Sequence, residues 1–117
     1  MIKQIDLEQV RFDYTIAVDY SDETLMAFAQ NWYDPADVEW FELEESYCGD
    51  WSGLDEDDAI GDYLFDLATD CGDLENIPHW IRHNIDWRTV GRDARFSGEF
   101  RAERLSDIGE WAVFRNW

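Results

Sequence analysis

The sequence predicts a small single α+β domain over residues 1–117, an antiparallel sheet of three to four strands packed with acidic helices. Three observations carry this. The chain has 117 residues, enough for one domain with a real core. Hydrophobic residues make up 45% and aromatics 16%, whereas acidic disordered chains are poor in aromatics. Stretches of alternating and of helical apolar spacing then succeed one another in the order β-α-β-α-α-β-β.

Residues 11–19 alternate, with Phe12, Tyr14, Ile16 and Val18 on one side, the pattern of a half-buried strand. Ser21 offers an N-cap to a helix with Asp22 and Glu23 in its first turn. Its apolar side is Leu25, Phe28, Ala29 and Trp32, and it stops before Pro35. Residues 38–45, with Val38, Trp40, Phe41 and Leu43, are expected as a second strand, followed by a loop over 49–53. Between 54 and 71, Ile60, Tyr63, Leu64, Leu67 and Cys71 form a helical stripe. Pro78 suits the start of a short helix reaching about residue 84. Asp86 caps another over 87–95, weakened at Gly91. Residues 96–103 and 111–115 are expected as a terminal antiparallel pair joined by 105–109.

Charge narrows the function. With 28 Asp+Glu against 9 Lys+Arg the formal net charge is −19, which disfavours direct binding to nucleic acid or anionic membranes. No apolar run approaches the ~20 residues of a bilayer span. The first residues lack the apolar core of a signal peptide. The expected location is therefore the cytoplasm, with Cys48 and Cys71 as reduced thiols. Residues 12–81 contain 20 carboxylates and no Lys or Arg. A compact chain of this size spans roughly 35 Å, and B-DNA carries about 20 phosphates over 34 Å. Solubility needs a net charge of only about 2–8 in magnitude. The candidate acidic surface is Asp34, Asp37, Glu39, Glu42, Glu44, Glu45 and Asp50, continued by Asp55, Glu56, Asp57, Asp58, Asp62, Asp66, Asp70, Asp73 and Glu75. Within it, Asp58, Asp62, Asp66 and Asp70 recur at i+4, a step of about 6 Å along a helix, close to the phosphate spacing of a strand.

Other chemistry finds little support. His79 and His83 have a zinc-compatible spacing, but Trp80 stands where a metalloprotease needs its Glu. The run from Asp55 to Asp58 places Ala59 and Ile60 where a calcium loop needs an oxygen ligand and Gly. There is no G-x-S-x-G, P-loop or dinucleotide turn. A carboxylate pair among 28 acids is no sign of acid–base catalysis. The chain is therefore expected to be no enzyme and to use no metal or cofactor. The seven Arg of the tail, matched by six acids, read as internal or subunit-interface ion pairs. Most Trp residues are expected in the core, a few on an association surface.

At 85–100 the chain reads Ile-Asp-Trp-Arg-Thr-Val-Gly-Arg-Asp-Ala-Arg-Phe-Ser-Gly-Glu-Phe. This resembles the C-terminal motif of the ArdA antirestriction proteins of plasmids, transposons and phages. The matching positions are Ile85, Asp86, Trp87, Gly91, Arg92, Asp93, Gly98 and Phe100, while Val90 replaces the usual aromatic and Ala94 the usual Leu. The resemblance covers about 54–115. It implies a DNA mimic whose carboxylates imitate duplex phosphates in the DNA groove of type I restriction–modification enzymes, usually as a homodimer. The motif residues are expected to support the fold or the dimer. The rival target is a CRISPR effector complex. The different-class alternative is an acidic binder of basic nucleoid proteins.

Overall fold

The computed structural model describes residues 5–105 and 109–116. Its centre is a three-stranded antiparallel sheet in the order β1-β3-β2, with β1 at Tyr47–Ser52, β2 at Phe100–Arg104 and β3 at Glu110–Arg115. The middle strand is the last in the chain. It carries Trp111, Ala112, Val113 and Phe114, all buried, a continuous apolar run that a strand covered on both faces requires. Ala112 and Phe114 join a cluster with Ala17, Leu25, Phe28, Val38, Trp40 and Leu43. Trp111 and Val113 join a second with Ala59, Ile60, Phe100 and Ala102. Alternate residues of one strand thus feed two small cores on opposite faces of the sheet.

The N-terminal half builds the first core, and here three sequence expectations are corrected. The strand expected over 11–19 is helical: α1 spans Leu7–Asp13 and a 3-10 turn spans Thr15–Asp19. Asp6 starts α1 by accepting from the Gln9 amide at 3.2 Å, a capping arrangement that sets the backbone. The alternation misled because its large residues are not buried. Phe12 is 83% exposed and Val18 is also exposed, while small Ala17 is fully buried. Helix α2 (Asp22–Ala29) begins at Ser21 as expected, the hydroxyl accepting from Thr24 N at 3.2 Å. The strand expected over 38–45 gives way to a 3-10 turn at Trp40–Glu42 and to α3 at Leu43–Ser46. Val38, Trp40 and Leu43 turn inward, a spacing that a strand cannot present to one face. The strand that does form, β1, occupies the segment expected as loop. Its register against β3 shifts between Tyr47 and Asp50, where Gly49 holds φ at 102°, a bulge that glycine permits.

The second core lies under α4 (Glu56–Asp70) and α6 (Trp87–Phe96), with α5 (His79–Arg82) between them in sequence. Asp55 and Asp86 cap α4 and α6, accepting from Asp58 N at 3.0 Å and Thr89 N at 3.2 Å. Of the apolar stripe, Ile60, Tyr63 and Leu64 pack on this core. Leu67 and Cys71 are exposed, beyond its reach. Gly91 does not weaken α6 so much as admit it. A Cβ there would lie 2.2 Å from the Asp57 carbonyl oxygen, and one at Gly61 would lie 2.1 Å from that of Trp87. The two helices therefore touch backbone to backbone. Of residues 96–99, expected to begin a strand, Phe96 ends α6 and 97–99 form the turn after it, with Gly98 at φ 80°. Strand pairing starts at Phe100, and 106–108 of the expected loop lie outside the described residues.

Arg101 ties the layers together. It donates to the Ala27 and Phe28 carbonyls at 3.3 and 2.9 Å, at the C-terminal end of α2, and its guanidinium lies 4.4 Å from the Phe114 ring centre. Burial lowers its pKa and raises that of its partner Glu103. The whole measures 52 × 25 × 24 Å with a radius of gyration of 15.8 Å, more elongated than the roughly 35 Å expected of a compact chain.

Candidate acidic interaction surface

The first part of the surface is made by short turns. Because Val38, Trp40 and Leu43 point inward, Asp34, Asp37, Glu39, Glu42, Glu44 and Glu45 are left facing out. Asp34 fixes its own turn by accepting from Ala36 N at 2.9 Å. Glu39 and Glu42 are close enough that the Glu42 carboxyl, when protonated, donates to the Glu39 carboxylate, which raises the Glu42 pKa, the sign of crowded like charges. Asp50, also exposed, accepts from the Tyr47 hydroxyl.

The second part is α4 and the turn after it. Asp62, Asp66 and Asp70 are exposed, as are Asp73 and Glu75 beyond Gly72. The first turn of α4 is different. Arg88 of α6 bonds to Asp55, lies 3.2 Å from Asp58 and 3.9 Å from Asp57. Arg95 reaches Asp57 at 2.7 Å. Asp57, its side chain only 8% exposed, thus belongs to the packing of α4 on α6 and not to the outer surface. Asp58 also accepts from Leu54 N at 3.1 Å. The Asp58 amide, with Arg88, holds the Asp55 carboxyl below its usual range. Glu56 is half-buried. Among the described residues, every other candidate carboxylate lacks an ion pair within 4.0 Å. The tail arginines expected to make internal ion pairs do so at Arg88, Arg95 and Arg101. Sequence reasoning did not connect them to Asp55, Asp57 and Asp58, although 88 and 95, seven apart, share a helix face.

Of the motif residues, Gly91 and Phe100 are buried, and Asp86, Arg92, Asp93 and Gly98 are exposed. Ile85 is half-buried. Asp86 receives the Thr89 hydroxyl at 2.8 Å, which lowers its pKa. Gly91 sits in the α4–α6 contact, Gly98 ends α6 and Phe100 is in the second core. Arg92 and Asp93 are exposed, and among the described residues their side chains make no ion pair. The His79 and His83 rings meet edge to face, with centres 4.1 Å apart. No group of three or more metal-ligating side chains occurs among the described residues.

A sequence profile of the antirestriction protein (ArdA) family matches residues 4–104. The chain belongs to the ArdA antirestriction family. The match takes in the N-terminal segment that the motif resemblance over 54–115 left out, and it stops short of β3. ArdA proteins are inhibitors, so membership makes this an antirestriction protein of an inhibitor family. No curated protein and no solved structure matches this ArdA-family chain. Among its described residues, no helix is long and apolar enough to cross a membrane.

Proposed function

We propose that this ArdA-family chain inhibits restriction as a DNA mimic, seating its carboxylates where a type I restriction–modification enzyme grips duplex phosphates. One observation carries the reading. The exposed acids of residues 34–75 have no counter-ion of their own among the described residues, while the nearby arginines Arg88 and Arg95 are taken up by ion pairs with Asp55, Asp57 and Asp58 in the first turn of α4. Evenly mixed charge, which would serve solubility as well, is absent. The dimensions support it: B-DNA as long as the 52 Å body carries about 30 phosphates, and the chain has 28 acids. Asp62, Asp66 and Asp70 supply a regularly spaced row, with the turn-borne acids from Asp34 to Glu45 as a second group.

A partner that holds phosphates with Lys and Arg binds such a surface rapidly and with strong salt dependence. The test is competition. Increasing amounts of the chain should release duplex DNA from a purified type I enzyme one for one. A variant with the same number of acids moved to other surface positions should fail. If it competes equally well, the chain is a diffuse polyanion. Release from a CRISPR effector complex alone would instead identify the rival target.

A further inference from the structure

The start of α4 and the start of α6 enclose an open cleft of 660 Å³ whose walls are of two kinds. Leu54, Phe65 and Trp87 are apolar, Phe65 packing edge-on to Trp87 at 5.4 Å. Asp58, Asp62 and Arg88 are charged. Leu54 is 92% exposed, the highest value among the large apolar residues described, and its backbone is fixed. Gly53 N donates to Gly109 O at 3.0 Å, Leu54 N to Asp58 at 3.1 Å, and Asp55 caps α4. Gly53 is tucked so close that a Cβ would lie 2.7 Å from Ala59 N. A fully presented aliphatic side chain on a held backbone, in one cleft with two rings, is a contact waiting for a partner.

Charge selects the partner. Arg88 is engaged by Asp55 and Asp58, so Asp62 faces the cleft without a counter-ion. An apolar occupant would bury that carboxylate unpaired, which is costly. A second copy of a chain with net charge −19 is poorly suited to supply the missing cation. A guanidinium satisfies both walls, pairing with Asp62 while its flat face lies on an aromatic ring. We propose that this cleft takes an arginine side chain from the DNA-gripping surface of the inhibited enzyme. The inference rests on the DNA-mimic reading and adds to it a contact that a phosphate backbone cannot make. Ion pairs weaken as salt rises, whereas the apolar part of this contact does not.

The test uses a purified type I restriction–modification enzyme from which the unaltered chain displaces a fluorescent duplex, titrated over a series of NaCl concentrations. Leu54→Ala and Phe65→Leu should each raise the concentration needed for displacement about three- to tenfold, by a similar factor at every salt concentration, leaving the salt slope unchanged. Leu54 is too exposed for its loss to unfold the protein, and Phe65→Leu keeps apolar bulk while removing the ring. Displacement unchanged in both variants overturns the proposal. So does a variant whose sedimentation changes while its displacement does not, since a second copy would then cover the cleft. The mimic reading fails by a different sign: Asp62→Asn, Asp66→Asn and Asp70→Asn combined would leave the salt slope as it was.

Discussion

Replacing Gly91 with Ala sets helix propensity against packing, and the structure decides between them. In an open helix the change stabilises by about 1 kcal/mol. Here the new methyl would fall 2.2 Å from the Asp57 carbonyl and 2.6 Å from Gly61 N. Both obstacles are backbone, so no side chain can rotate away and α6 must retreat by roughly 1 Å. Overpacking costs about 1–3 kcal/mol, and a rigid obstacle puts this site at the upper end. The retreat also loosens the Arg95–Asp57 pair, now 2.7 Å. The net loss is about 2 kcal/mol, and with an unfolding entropy of about 0.25 kcal/mol/K for this chain length the midpoint falls by about 8 °C. Thermal unfolding followed by circular dichroism measures it. Gly98→Ala is the control. Its φ is 80° and nothing lies within 4 Å of the added carbon, so only backbone strain of about 1 kcal/mol, near 4 °C, applies. A Gly91→Ala protein as stable as the parent would refute the close helix contact.

Other outcomes follow from the same geometry. Asp62→Asn, Asp66→Asn and Asp70→Asn together should raise the melting temperature by about 2–6 °C at low salt, because three like-charged i+4 pairs (58/62, 62/66 and 66/70) are removed. Added salt should shrink the gain. Asp58→Asn should lower it instead, since Asp58 holds Leu54 N and Arg88. Stability should peak on the acid side of neutrality, as a pH series of urea titrations would show. Glu42 and Glu103 have raised folded pKa values, so their contribution grows as pH falls toward about 4.3. Asp55 and Asp86 have lowered ones, so theirs is present above about 3.9 and lost below it. Arg101→Leu should cost about 2–4 kcal/mol in urea unfolding, by leaving the Ala27 and Phe28 carbonyls and half-buried Glu103 without their donor.

The C-terminal half was readable because its boundaries are local. Asp55 and Asp86 cap by contacts three residues away, and Gly98 stops α6 at its own position. The N-terminal half was not, since large apolar side chains such as Phe12 and Val18 remain in solvent and counterfeit a strand period. A closer look at Asp6 and Gln9 would have revealed α1. The position of β1 depends on pairing with β3, some sixty residues away, and its sequence of Tyr, Cys, Gly, Asp, Trp and Ser has no alternation to announce it. For the acidic surface, sequence supplied the inventory of carboxylates. Which of them are neutralised internally depended on Arg88 and Arg95 meeting residues 33 and 38 positions earlier.

The position of β3 has a consequence for biosynthesis. β1 and β2 are not neighbours in the sheet, and each hydrogen-bonds only to β3. While the ribosome is still making residue 109, both edge strands hang without a mate and neither cluster has its closing wall of Trp111 to Phe114. The nascent protein thus stays open until β3 emerges and slides between the two halves, so folding is deferred until residues 110–115 have been made.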